Sequence, residues 1–138
     1  MNILAELKNR FRDALVDVAG DSDVQSLLEM IKPAQDARFG DYQANCAMPL
    51  GKRLGKAPRD VAADILANVN LDDLCSETDI AGPGFINLTI SDDWLTNQIN
   101  TAGEDERLGV ESTTHAQTYI LDYSSPNVAK PMHVGHIR

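Results

Sequence analysis

The sequence predicts an α+β fold, in which a small antiparallel or mixed sheet carries helices on one face, followed by the start of a nucleotide-binding βαβ unit. Three observations predict it. Stretches between residues 3 and 69 and again after 91 carry apolar residues at helical spacing. Two short β-rich runs flank the turn Gly82-Pro83-Gly84. After a polar stretch, an apolar run leads through a loop to a helix start that bears two histidines.

Taken in order, Ile3, Leu7, Phe11, Ala14, Leu15 and Val18 predict a first helix that stops at Gly20. Asp21 and Ser22 can cap a second helix carrying Val24, Leu27, Leu28 and Ile31, with Pro33 as its end. Ala34 to Phe39 is weakly strand-like and meets the turn Gly40-Asp41. Tyr42 to Leu54 reads as a small-residue helix that Pro49 kinks or splits and Gly55 closes. Pro58 suits the first position of a helix carrying Val61, Ala62, Ile65, Leu66 and Val69.

Asp79–Ala81 and Phe85–Ile90 then read as two strands. Alternation puts Ile86, Leu88 and Ile90 on the core face and turns Phe85, Asn87 and Thr89 outward. Ser91 caps a last helix with Asp92 and Asp93 in its first turn, where the helix dipole favours acids. Gly103 to Gln117 is polar and acidic, a linker. Thr118 to Tyr123 reads as a buried strand. The expected organisation is residues 1–102 as one domain, 103–117 as linker and 118–138 as the opening of a second domain. A strand, loop and helix start with no returning strand point to a piece of a longer protein.

Composition narrows the class. The chain has 138 residues, 43% hydrophobic and 24% charged, enough for one packed core. No run approaches the about 20 apolar residues of a membrane span, and Glu6 arrives too early for a signal peptide. The expectation is a cytoplasmic protein with no membrane and no obligate protein partner. Cys46 and Cys75 lack CxxC spacing and read as free buried thiols. The net charge of −9, taken alone, argues against nucleic acid as a partner. Its distribution is uneven, because residues 32–60 hold six basic and three acidic groups inside an acidic chain.

The chemistry-bearing motif is His133-Val134-Gly135-His136. At a helix start, backbone N–H groups and the dipole favour phosphate, imidazoles can donate to phosphate oxygens, and Gly135 admits a flat base. Lys130 adds a mobile charge nearby. Zinc is a competing use of the histidines, but a full ligand set is missing nearby: His115 alone is close. A chance HxGH on a surface is another.

The longer run Ser124-Ser125-Pro126-Asn127-Val128-Ala129-Lys130-Pro131-Met132-His133-Val134-Gly135-His136 resembles the HIGH signature of class I aminoacyl-tRNA synthetases in its arginyl form. Pro-Asn-x-Ala-Lys before HxGH is specific to that branch. Phe39-Gly40-Asp41-Tyr42-Gln43 and Ala81-Gly82-Pro83-Gly84-Phe85-Ile86-Asn87 are similar to the N-terminal extension of the same family. The resemblance covers essentially the whole chain.

The resemblance implies a ligase that adenylates L-arginine with ATP and transfers it to tRNA(Arg), with Mg2+ accompanying ATP and no bound cofactor in this piece. It implies a two-layer N-terminal domain contacting the tRNA D-loop, then a Rossmann-type catalytic domain. His133 and His136 would hold the ATP phosphates and stabilise charge at the α-phosphorus, with Gly135 beneath adenine. Ser125 and Asn127 match positions that hold the α-amino end of arginine, and Asp122 matches a nearby acid. Lys130 matches a lysine that substitutes for the one usual in the second signature. Phe85 and Asn87 match the aromatic and amide contributors to the D-loop contact.

Lys52, Arg53, Lys56 and Arg59 could contact phosphates, although a solvated helix face has the same composition. A piece cut inside its active site is expected to be inactive alone. The alternative reading is a non-catalytic RNA-binding or protein-interaction module, and a metal-dependent hydrolase using the two histidines is a third. The length of the reading frame and a metal analysis separate them.

Overall fold

The computed structural model describes residues 2–20, 23–110, 112–121 and 131. Its elements are α1 (Ile3–Ala19), α2 (Val24–Leu28), β1 (Ile31–Pro33), a 3-10 turn (Ala37–Phe39), β2 (Tyr42–Ala44), α3 (Ala47–Leu54), α4 (Pro58–Asn68), β3 (Cys75–Ala81), β4 (Phe85–Ile90) and α5 (Asp92–Glu104). The strands form one sheet in the order β1-β2-β4-β3, antiparallel throughout. The last strand in sequence therefore lies between its predecessors.

The core fills the space between this sheet and α1, α2, α3 and α4. Leu7, Phe11 and Leu15 of α1 share one buried core with Ile31, Ala44, Ile86 and Leu88 of the sheet and Val61 and Ile65 of α4. That apolar burial is the main source of stability. At the ends of α1, Asn2 Oδ1 accepts Ala5 N–H at 3.0 Å and Gly20 N–H donates to Val16 at 2.8 Å. Pro58 opens α4 as its position predicts.

Several expectations are corrected. Ile31 does not continue the second helix. That helix stops at Leu28, and Ile31–Pro33 is a strand. Pro33 forces its predecessor towards extended backbone, and β2 supplies the ladder. Ala34 to Phe39 is not strand-like. Asp36 caps a 3-10 turn there by accepting Arg38 N–H at 2.9 Å. Tyr42 to Leu54 is not one helix. Tyr42–Ala44 is strand, paired on both sides, and only Ala47–Leu54 is helical. Pro49 neither kinks nor splits that helix, because it sits in the first turn, where its missing N–H has no helical acceptor.

Downstream, α5 runs through Gly103 to Glu104, two residues past the expected boundary. Tyr119, Ile120 and Leu121 are neither strand nor buried; they are 78%, 91% and 74% exposed. A strand exists only when paired, and no described residue offers it a ladder. Cys46 and Cys75 are free and buried, and burial pushes both thiols up to about 11.

Candidate RNA interface

Two faces of the sheet divide the side chains of β4. Ile86, Leu88 and Ile90 point into the core, as alternation requires. Phe85, Asn87 and Thr89 take the opposite face. Phe85 is half-buried there. Asn87 is only 8% exposed, so the expectation of an openly exposed pair is corrected. The cause is its neighbourhood. Asn87 lies on an inner strand with Gln43 and Asp79 in register on either side, and its Oδ1 accepts a hydrogen bond from Gln43 Nε2 at 2.8 Å.

Register extends that pair into a row across the whole sheet. Lys32 of β1 faces Gln43 of β2, Gln43 faces Asn87 of β4, and Asn87 faces Asp79 of β3. The row runs from an exposed cation to an exposed carboxylate, with the two amides between. Glu77, opposite Thr89, adds a second acid on the β3 side. A polyanion would therefore approach from the β1 edge.

The turn that presents Phe85 is held in place by α4. Gly84, at φ 136°, lies so close that a Cβ there would be 2.8 Å from Pro58 O. Arg59 Nη1 donates to Gly82 O at 3.2 Å. A Cβ built on Gly82 would meet the Phe85 ring at 3.5 Å, so the ring sits against the turn. Gly40-Asp41 serves the backbone. A Cβ on Gly40 would be 2.6 Å from Leu88 O, and Asp41 Oδ2 accepts Ile90 N–H at 2.8 Å. Phe39 is 40% exposed, with the Arg38 guanidinium 5.7 Å from its ring centroid.

The basic segment is dispersed by its partners. Arg53 donates to Asp23 and to Ala19 O, each at 2.6 Å, which ties α3 to the end of α1. Lys56 pairs with Asp64 at 3.1 Å. Lys52 is exposed and makes no ion pair among the described residues, so it keeps its charge for solvent or a ligand. A separate open hollow of about 730 Å3 is lined by Asp41, Asp92 and Asp93 among others, and that acidity disfavours phosphate.

The expected chemistry at Asp122, Ser125, Asn127, Lys130, His133, Gly135 and His136 falls outside the described residues. Sequence reasoning gave Gln43 and Lys32 no part in this face. Reading Tyr42, Gln43 and Ala44 as alternating in, out and in would have found Gln43.

Residues 5–90 match the family model described as arginyl tRNA synthetase N terminal domain, more than half of the chain. The chain belongs to the arginyl-tRNA synthetase family. Residues 98–138 match the model described as tRNA synthetases class I (R), catalytic domain, which starts inside α5. An arginine–tRNA ligase of Rhodopirellula baltica is 59% identical over 109 residues, covering 79% of this chain and 16% of that protein. One of Crocosphaera subtropica is 44% identical over 137 residues, 99% of this chain and 23% of that protein. The chain thus spans a quarter or less of these curated relatives. The crystal structure of arginyl-tRNA synthetase from Plasmodium falciparum shares the fold, with TM-score 0.60 and 22% identity over 70% of this chain and 18% of that one. Among the described residues, no helix is long and apolar enough to cross a membrane.

Proposed function

We propose that this chain is the N-terminal segment of an arginine–tRNA ligase, and that its domain reads an unpaired base of the tRNA D-loop on the outer sheet face. The observation that carries the reading is the placement of Phe85 beside the Asn87–Gln43 amide pair that spans the two inner strands, β4 and β2. Proteins read unpaired RNA bases by stacking them on aromatic rings and hydrogen-bonding their edges. Phe85 supplies the ring and Asn87 the edge contact. Lys52 is the phosphate contact of the basic segment; Arg53 and Lys56 would contribute only by exchanging their carboxylate partners for phosphate.

In the longer protein, ATP adenylates arginine and arginine passes to tRNA(Arg). His133 and His136 would donate to the ATP phosphates as charge builds at the α-phosphorus, Gly135 would lie beneath adenine, and Lys130 would add positive charge. Asp122, Ser125 and Asn127 would hold the amino end of arginine. Mg2+ prefers oxygen ligands, so the ATP phosphates rather than these imidazoles would carry it. A cytoplasmic location goes with this reading.

The test uses a full-length ligase carrying this domain. Base stacking on an aromatic ring is worth about 1–3 kcal/mol by alanine substitution, which is roughly ten- to a hundredfold. Phe85→Ala should lower kcat/KM for tRNA by that factor, with the KM values for arginine and ATP unchanged. Asn87→Ala should lose less and relax base preference. Lys52→Ala should weaken tRNA binding evenly and reduce its salt dependence. A stable Phe85→Ala ligase that charges tRNA normally would place the contact elsewhere.

A further inference from the structure

We infer that Gln43 is a positioning residue that decides which end of the Asn87 amide is offered to RNA. This deepens the base-reading proposal and rests on it. An asparagine amide has an accepting end and a donating end, and a half-turn about its last bond exchanges them. The base edge it selects depends on which end is free. Gln43 Nε2 donates to Asn87 Oδ1 at 2.8 Å, which engages the accepting end and leaves Nδ2 as the free group. With Asn87 8% exposed, water competes poorly for that bond.

The row across the sheet gives the pair its direction. Lys32, in register with Gln43, can only donate; Asp79, in register with Asn87, can only accept. A donor at one end favours the oxygen of Gln43 on that side and its NH2 towards Asn87. An acceptor at the other end favours the NH2 of Asn87 on that side and its oxygen towards Gln43. Both charged ends bias the amides to the same head-to-tail order that the hydrogen bond displays. Reversing it would set carbonyl oxygen towards Asp79 and NH2 towards Lys32. Adjacent strands stand about 4.8 Å apart, so the field of each end group reaches the amide beside it. The face then presents an N–H donor from Asn87 with the Gln43 carbonyl oxygen beyond it, and it selects a base edge that offers an acceptor to Asn87.

The experiment measures kcat/KM of a full-length ligase carrying this domain on tRNA(Arg) transcripts with each of the four bases at each unpaired D-loop position. Gln43→Glu keeps the shape but can only accept, so Asn87 must turn its NH2 inward and present oxygen. The base ranking should then reorder by on the order of tenfold, the scale of one well-made contact. Gln43→Leu should flatten the ranking, because nothing orients the amide. Lys32→Glu combined with Asp79→Lys, both at exposed positions, exchanges the donor and acceptor ends of the row and so reverses the bias without altering either amide, and it decides the matter if the Gln43 variants melt below the assay temperature. An unchanged base ranking in folded Gln43→Glu and Gln43→Leu, or in the Lys32→Glu/Asp79→Lys double variant where those two do not fold, with Asn87→Ala losing that ranking, would overturn the role of Gln43 and leave the base reading intact. Wild-type charging of every transcript by folded Phe85→Ala and Asn87→Ala would overturn the base reading itself, and this inference with it.

Discussion

The carboxylate of Asp41 accepts the backbone N–H of Ile90 at 2.8 Å, while the N–H of Asp41 itself donates to Leu88 O at 2.8 Å. The β2 ladder ends at Tyr42, paired with Leu88, so the side chain of Asp41 satisfies the donor that the backbone of β2 no longer reaches. Asp41→Ala should cost about 1.5–3 kcal/mol, the usual worth of a hydrogen bond to a charged group. Asp41→Asn keeps an acceptor and should cost less. Urea unfolding of the two variants beside the wild type checks the order.

Gly84 combines a φ of 136° with a backbone oxygen 2.8 Å from where a Cβ would sit. Gly84→Ala should destabilise the domain by about 1–3 kcal/mol through backbone strain. It should also move Phe85, the next residue. Thermal melting reports the first effect, and the chemical shifts of the Phe85 ring report the second.

Arg10 donates to Glu6 at 2.9 Å and to both carboxylate oxygens of Asp73, joining α1 to the segment before β3. The guanidinium holds the Asp73 carboxyl below its ordinary value of 3.8, chiefly through that hydrogen bond. A carboxyl lowered on folding stabilises the fold above its unfolded pKa and loses that contribution as pH falls through the lower folded value. Asp73→Asn should therefore be less stable than wild type at pH 7, and the gap should close below pH about 4. Both groups are partly exposed, so the gap at pH 7 should be no more than about 1 kcal/mol. Urea midpoints across pH 3 to 7 test the sign.

With both thiols at about 11, Cys46 and Cys75 should hold about one thiolate in a thousand at pH 8. Thiol reagents should label the native protein only as fast as it opens, and both sites rapidly in denaturant. Fast native labelling would show that the sulfurs are more accessible than their burial implies.

The long helices and the tight hairpin were legible because their signals are local. Apolar spacing marks α1, Pro58 marks α4, and Gly82-Pro83-Gly84 marks the β3–β4 turn. β1 and β2 were not legible. Each is three residues long, and what makes Tyr42–Ala44 a strand is its pairing with Ile31–Pro33 and with Ile86, Asn87 and Leu88. The same distance in sequence hid Gln43. Reading Tyr42 as the start of a helix removed the alternation that would have placed it next to Asn87. The burial of Asn87 had the same cause, since alternation along β4 gives its face but not the height of its neighbours.

Because β4 is inserted between β2 and β3, the strand bearing Phe85 and Asn87 is also the keystone of the sheet. During synthesis β1, β2 and β3 all emerge before it, and β2 and β3 have no ladder between them until residue 90 has left the ribosome. The earlier segments must wait with open edges, a slow and non-local closure. A nascent chain stalled before Phe85 should stay protease-sensitive, and protection should arrive in one step when β4 enters. The outer face carrying Phe85 and Asn87 and the folded domain then come into being together, so no half-folded form can present one without the other.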